Sequence, residues 1–244
     1  MKSSSGKYFI GLDHIRAFAT FLVFTWHFTH FNNGNITAIP VFPLNIFTEG
    51  HTGVALFMTL SGYLFAKLLD GKNINYTSFI WNRFLRLAPL LTVVIILAGL
   101  NHYRHGNEML PYLRNITFGL ITPTFPNGGW SITVEFHFYL LLPFLLILKR
   151  RSGYLLIVLV GFAICMRWLL YNELGSIQYL SYYTIIGRFD QFALGIAAFQ
   201  YREYITKHHI LALIILLAFL LFYRFIDNMA AINAASPSSF YNAL

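Results

Sequence analysis

Ionisable side chains recur along one face of the first apolar stretch of the chain. Asp13, Arg16, Thr20, Val23 and His27 follow one another at alternating spacings of three and four residues, which is the period of one helix face. Charges inside a membrane span are costly, so each one is a candidate for function. His27 cannot reach water along a flexible stem, and a functional role is favoured for it. For Asp13 and Arg16, a structural ion pair at the helix end is an equal alternative.

Two arginines open the third apolar stretch. Arg83 and Arg86 are three residues apart, so both guanidinium groups can face the same ligand. Paired arginines suit phosphate oxygens, which fits a nucleotide-like or phosphorylated cofactor arriving from the cytoplasm. The alternative, slightly favoured by spacing alone, is that they anchor the helix end to lipid phosphates.

A carboxylate lies early in the fourth apolar stretch. Ser131, Glu135 and Tyr139 share a helix face at spacings of four, so Glu135 has hydroxyl neighbours. Together with a histidine of the same bundle it can form an acid/base or orienting pair. Ser61-Gly62 in the second stretch follows no strand, so it predicts a small-residue helix contact rather than a nucleophile elbow.

Three further charges lie in later apolar stretches, and pairing among themselves is the alternative to function for each. They are Arg167, Arg188 and Asp190.

The composition is that of a membrane protein. Of 244 residues, 57% are hydrophobic and 11% charged, whereas soluble domains carry about a quarter charged residues. The net charge of +8 comes from Lys and Arg between the apolar blocks, which leaves no basic face for nucleic acid. Cys165 is the only cysteine, which excludes a disulfide framework and a cysteine metal cluster, and no metal site is predicted.

The apolar blocks predict an all-α, polytopic bundle of about seven transmembrane helices over residues 1–226. The predicted spans are 9–30, 51–69, 84–101, 130–148, 154–171, 187–200 and 210–226. The stretch 111–125 is too short and proline-broken to span, and 227–244 reads as a flexible tail or the start of a missing loop. Alternate connections carry ten Lys and Arg residues against two in the others, which predicts a cytoplasmic N-terminus.

Five motifs in order resemble the membrane-bound acyltransferase family 3, which O-acylates cell-envelope and exported carbohydrates. The segments that carry the resemblance are Gly11–Ala17 with His27, Gly53–Leu64, Arg83–Arg86 with Pro89, Trp130–Glu135 with Phe138–Leu140, and Gly187–Phe192 with Gly195. Single motifs of this kind are weak, but five in the expected order over 11–195 are specific.

The resemblance implies an O-acyltransferase in a bacterial inner membrane. Acyl-CoA, a substrate rather than a resident cofactor, would be held by Arg83 and Arg86 with Arg16 nearby. His27 would act as general base, or carry the acyl group, toward a hydroxyl of a polysaccharide, lipopolysaccharide or other carbohydrate or glycolipid. Glu135 would orient or charge-balance that histidine. Supporting roles fall on the motif residues Asp13, Ser61, Trp130, Ser131, Tyr139 and Arg188.

The family usually has about ten spans, so seven predict a C-terminally truncated chain. Two other hypotheses stay open: a transporter, because ionisable stripes also form proton or substrate paths, and an inactive remnant of the enzyme.

Overall fold

The computed structural model describes residues 10–30, 50–72, 75–126, 128–175 and 177–211, with scattered positions up to 221. The predicted span 210–226 lies largely, and the predicted tail 227–244 entirely, outside the described residues. Every regular element within the described ranges is helical. The helices are α1 (Ile10–His30), α2 (Gly50–Leu68), α3 (Tyr76–Arg104), α4 (Met109–Thr117), α5 (Trp130–Arg151), α6 (Gly153–Leu174), α7 (Gln178–Tyr183), α8 (Ile185–Gln200) and α9 (Arg202–Lys207).

Local signals set the helix boundaries. α3 starts after Asn75, whose side-chain oxygen accepts a hydrogen bond from the Ser78 backbone N–H at 3.1 Å. It therefore begins at Tyr76 rather than at 84, which places the arginine pair inside the helix. α6 ends at Gly175, which adopts the left-handed conformation at φ 70°.

α8 is the central helix of the bundle. It packs against α2, α5 and α6, and most of its apolar side chains are buried. Its contact with α2 depends on two glycines: a Cβ on Gly62 would lie 2.1 Å from the Phe192 carbonyl oxygen, and one on Gly195 would lie 1.9 Å from that of Thr59. The close helix approach predicted at Ser61-Gly62 is thus present at Gly62.

The long helices run between two ends of the bundle. At one end, Asp70 after α2 accepts a hydrogen bond from Lys149 of α5 at 2.6 Å, and the start of α6 meets Tyr201 at the end of α8. We call this the basic end, because several cationic side chains lie there. They are Lys67, Lys72, Lys149, Arg150, Arg151, Arg202 and Lys207. At the other end, Trp26 of α1 contacts Gly50 of α2.

Three of the described helices, α3, α5 and α6, are long and apolar enough to cross a membrane. α2 contains a shorter apolar helix, Thr52–Leu68, and α8, with 16 residues, is short for a span. The prediction of seven spans is therefore borne out for three helices, and the side on which the N-terminus lies stays a prediction.

The stretch 111–125 contributes the short, exposed helix α4, which does not span. Tyr112 ties it to the end of α3 by donating a hydrogen bond to the Ile95 carbonyl oxygen at 2.5 Å.

Candidate active site

A polar cluster lies between α3 and α5. The Tyr139 hydroxyl donates a short hydrogen bond to the Glu135 carboxylate one helical turn away. The Arg83 guanidinium interacts favourably with the charge of Glu135 and unfavourably with that of Arg86. The structure thus brings together four residues that the sequence singled out separately, namely Arg83, Arg86, Glu135 and Tyr139.

Aromatic rings support the Arg83 side chain. Its guanidinium carbon lies 4.9 Å from the ring centroid of Phe65 and 5.4 Å from that of Phe79. Both rings also pack edge-on against Tyr139, at centroid distances of 5.3 Å and 5.9 Å. Arg83 Nε is buried and has no hydrogen-bond partner among the described residues. This guanidinium therefore retains an unused donor inside the bundle.

A proline explains a further contact of the cluster. Pro143 has no N–H, so the carbonyl of Tyr139, four residues earlier in α5, lacks its usual helical partner. The Tyr76 hydroxyl donates to that carbonyl oxygen at 2.7 Å. The start of α3 is thereby fastened to the middle of α5.

Arg86 differs from Arg83 in exposure. Arg83 is half-buried over the aromatic rings, whereas Arg86 is exposed. Both guanidinium groups still interact with the Tyr139 hydroxyl electrostatically. The pair consequently presents one half-buried and one exposed cation along the same helix face.

His27 lies apart from this cluster. Its side chain is exposed, and its ring meets Trp26 edge-on at a centroid distance of 4.8 Å. No hydrogen bond, ion pair or ring contact joins His27 to Glu135 in the described part of the chain. The expected histidine–carboxylate pair is thus not formed there: α1 packs chiefly against α2, and the Glu135 carboxylate accepts from Tyr139.

Asp13 and Arg16 form the ion pair that the alternative interpretation predicted. Arg16 NH1 lies 3.6 Å from Asp13 Oδ1, and both side chains are more than a third exposed. Such a pair contributes at most about 1 kcal/mol to stability. Thr20, between Arg16 and His27 on the stripe, donates its hydroxyl to the Arg16 carbonyl oxygen at 2.9 Å.

The other buried charges fall into two environments. Arg167 donates to both carboxylate oxygens of Asp190, at 2.5 Å and 3.4 Å, and to the Gly187 carbonyl oxygen at 2.7 Å. That pair fastens α6 to α8. Arg188 is buried, donates from Nε to the Tyr182 carbonyl oxygen at 3.0 Å, and lies 4.5 Å from the Tyr182 ring centroid.

Trp130 and Ser131 lie at the end opposite the basic end. Trp130 is buried, with the Arg188 guanidinium 5.6 Å from its ring centroid. Ser131 donates its hydroxyl to the Gly128 carbonyl oxygen at 3.5 Å. Both residues therefore shape the start of α5, and no described contact joins them to the polar cluster.

The residues that the sequence did not single out are aromatic. Phe65 and Phe79 come from different helices; in the sequence Phe65 looks like any other apolar residue of a span, and Phe79 precedes the predicted third span. No spacing signal would have identified them. In the described ranges, no group of three metal-ligating side chains is present.

The chain is a helical membrane protein whose site combines arginines, a carboxylate and a phenol, and comparison with known proteins gives its class. A family model for an acyltransferase domain matches residues 9–242. The chain belongs to this acyltransferase family, which confirms the resemblance drawn from its motifs.

Two curated relatives match the chain at less than 30% identity. The chain is 26% identical over 221 residues to a Bacillus subtilis (strain 168) protein named "Putative peptidoglycan O-acetyltransferase YrhL", covering 78% of this chain and 33% of that protein. It is 29% identical over 154 residues to "Acyltransferase MdmB" of Streptomyces mycarofaciens, covering 57% of this chain and 40% of that protein. The matches thus span about a third to two fifths of these relatives. No solved structure matches the chain.

Proposed function

We propose that this chain transfers an acyl group, most simply acetyl, from acyl-CoA to a hydroxyl group of a cell-envelope or exported carbohydrate. The hydroxyl oxygen attacks the thioester carbonyl, the C–S bond breaks, and CoA leaves as the thiol. His27 takes the proton of the attacking hydroxyl and returns it to the leaving thiolate. The family and the name of the Bacillus relative support this class of reaction.

The observation that carries the proposal is the cluster of Arg83, Arg86, Glu135 and Tyr139. Arg83 keeps a buried donor without a partner, and Arg86 is an accessible cation on the same face. Phosphate groups of CoA supply the oxygens that such a pair prefers. Glu135 and Tyr139 act here as positioning residues, because they hold Arg83 electrostatically rather than contacting His27.

The surroundings of the His27 ring support its role as base. Five histidines from α3 onward use a ring nitrogen in a hydrogen bond to a backbone carbonyl oxygen; they are His102, His105, His137, His208 and His209. No such bond is present for His27 among the described residues. A neutral imidazole nitrogen can accept the proton of an incoming hydroxyl.

The proposal includes an orientation. Lys and Arg side chains concentrate at the basic end, which we place in the cytoplasm by the positive-inside rule. Acyl-CoA would then arrive at the end where α3 begins, and the carbohydrate would approach from the opposite side or within the membrane.

The test is acetyl transfer from radiolabelled acetyl-CoA to carbohydrate in membranes that contain the full chain. His27→Ala should lower transfer at least about a hundredfold, the lower end of the range for loss of general acid–base catalysis. His14→Ala is the matched control, since His14 is another exposed histidine of α1, and it should leave transfer unchanged. Equal transfer by the two variants would remove His27 from the mechanism.

A further inference from the structure

An open groove of about 580 Å³ lies at the basic end, between the start of α3 and the last turns of α5. Its floor is formed by apolar side chains such as Phe79, Pro143 and Ile147. Lys72 and Arg150 are its two cationic lining residues. The groove thus combines a charged end with an apolar trough.

The two cations are exposed and have no carboxylate partner among the described residues. The nearby carboxylate, Asp70, already accepts a hydrogen bond from Lys149 at 2.6 Å. Lys72 and Arg150 come from different segments, the connection after α2 and the last turn of α5. An anion placed between them would therefore gain two charge-assisted contacts.

Apart from these cations, the described lining residues offer no free hydrogen-bonding side chain. The hydroxyl of Tyr76, which also lines it, is used by the Tyr139 carbonyl oxygen at 2.7 Å. A ligand with amides or hydroxyls along its length would leave them unpaired there, at a cost of about 1–3 kcal/mol each. A hydrocarbon chain carries no such cost.

The position of the groove indicates the source of that hydrocarbon. α3 and α5 are both long and apolar enough to cross a membrane, and Ile147 is exposed on the groove wall. An acyl chain of a bilayer lipid can therefore enter the groove sideways, while its head group stays level with the helix ends.

We propose that the groove binds one anionic phospholipid, with its phosphate between Lys72 and Arg150 and one acyl chain along Phe79, Pro143 and Ile147. The groove adjoins the proposed acyl-CoA site, because Phe79 lines the groove and also lies under the Arg83 guanidinium. The lipid takes no part in acyl transfer, and the proposal holds whether or not the chain is an active transferase.

Native mass spectrometry of the full chain in detergent tests the site directly. Mixed with phosphatidylglycerol and phosphatidylcholine, the chain should retain one phosphatidylglycerol molecule in preference. Removing both cations, with Lys72→Ala and Arg150→Ala, should weaken retention about fivefold for each cation. The control pair Arg151→Ala and Lys207→Ala removes the same charge from exposed positions outside the groove and should retain the lipid.

A second variant tests the trough without changing charge. Ile147→Trp fills the groove and should reduce lipid retention, whereas Ile157→Trp, at an exposed position of α6, should not. Equal loss in both charge pairs would overturn the proposal in favour of general electrostatic attraction. Displacement of the lipid by millimolar inorganic phosphate would overturn the proposal in favour of a free anion. Burial of Ile147 in a dimer of the chain would overturn it in favour of a protein contact.

Discussion

Substituting Gly195 by alanine tests the central α2–α8 contact. The added Cβ would lie 1.9 Å from the Thr59 carbonyl oxygen and 2.8 Å from the Tyr63 nitrogen, both of which are backbone atoms. A carbon in ordinary contact with a carbonyl oxygen lies at about 3.3–3.6 Å. The two helices must therefore separate by roughly 1.5 Å. Overpacking of this kind costs about 1–3 kcal/mol where side chains can yield, and backbone atoms yield less.

Gly161 supplies a matched control because it also lies within a helix, and a Cβ there would meet nothing within 4 Å. Gly161→Ala should be neutral or stabilise by up to about 1 kcal/mol through helix propensity. Gly195→Ala should destabilise by about 3 kcal/mol or more. Thermal unfolding of the detergent-solubilised chain, followed by circular dichroism, measures both. Equal midpoints for the two variants would refute the close approach of α2 and α8.

Two further predictions concern polar contacts. Tyr139→Phe removes the donor to Glu135 and should lower acyl transfer about 10-fold or more, since hydrogen bonds to charged groups contribute about 1.5–3 kcal/mol. Tyr76→Phe leaves the Tyr139 carbonyl oxygen without a donor. It should change the free energy of unfolding more than the activation free energy of transfer, and the reverse order would contradict the assignment. Asp190→Asn leaves Arg167 without its counter-charge and should destabilise by about 3–5 kcal/mol; a melting curve that matches the wild type would show that the pair contributes nothing.

Much of the helix pattern follows from the sequence, because each apolar block is long and its limits are set by local residues. α1, α2, α5 and α6 begin and end within about three residues of their predicted limits. α3 is the exception at its start, since Asn75 caps the helix ahead of a polar stretch that the apolar pattern excludes. The central place of α8 was not predictable. Its close approach to α2 depends on Gly62, which lies against Phe192, and on Gly195, which lies against Thr59, and these contacts join residues far apart in the chain.

The candidate site likewise has one part that the sequence predicts and one part that it does not. The Glu135–Tyr139 bond joins residues four apart on one helix, and their shared face predicts that they are neighbours. The place of Arg83 between Phe65 and Phe79 depends on packing between α2 and α3, which no local spacing encodes. The stripe on α1 is a helix face as expected, yet spacing alone does not say which neighbour that face meets.

Two partly buried arginines, Arg83 and Arg167, illustrate the difference between a structural charge and a candidate binding group. The Arg167 guanidinium already has acceptors: the Asp190 carboxylate and the Gly187 carbonyl oxygen accept its hydrogen bonds, so binding an anion would require breaking these contacts. Arg83 keeps an unused donor, because its guanidinium lies over aromatic rings and its Nε lacks a partner among the described residues. Leaving a buried charged donor unused costs about 1–3 kcal/mol or more. A ligand that supplies the missing acceptor recovers that cost on binding, so Arg83, and not Arg167, is the arginine that we propose to bind the acyl donor.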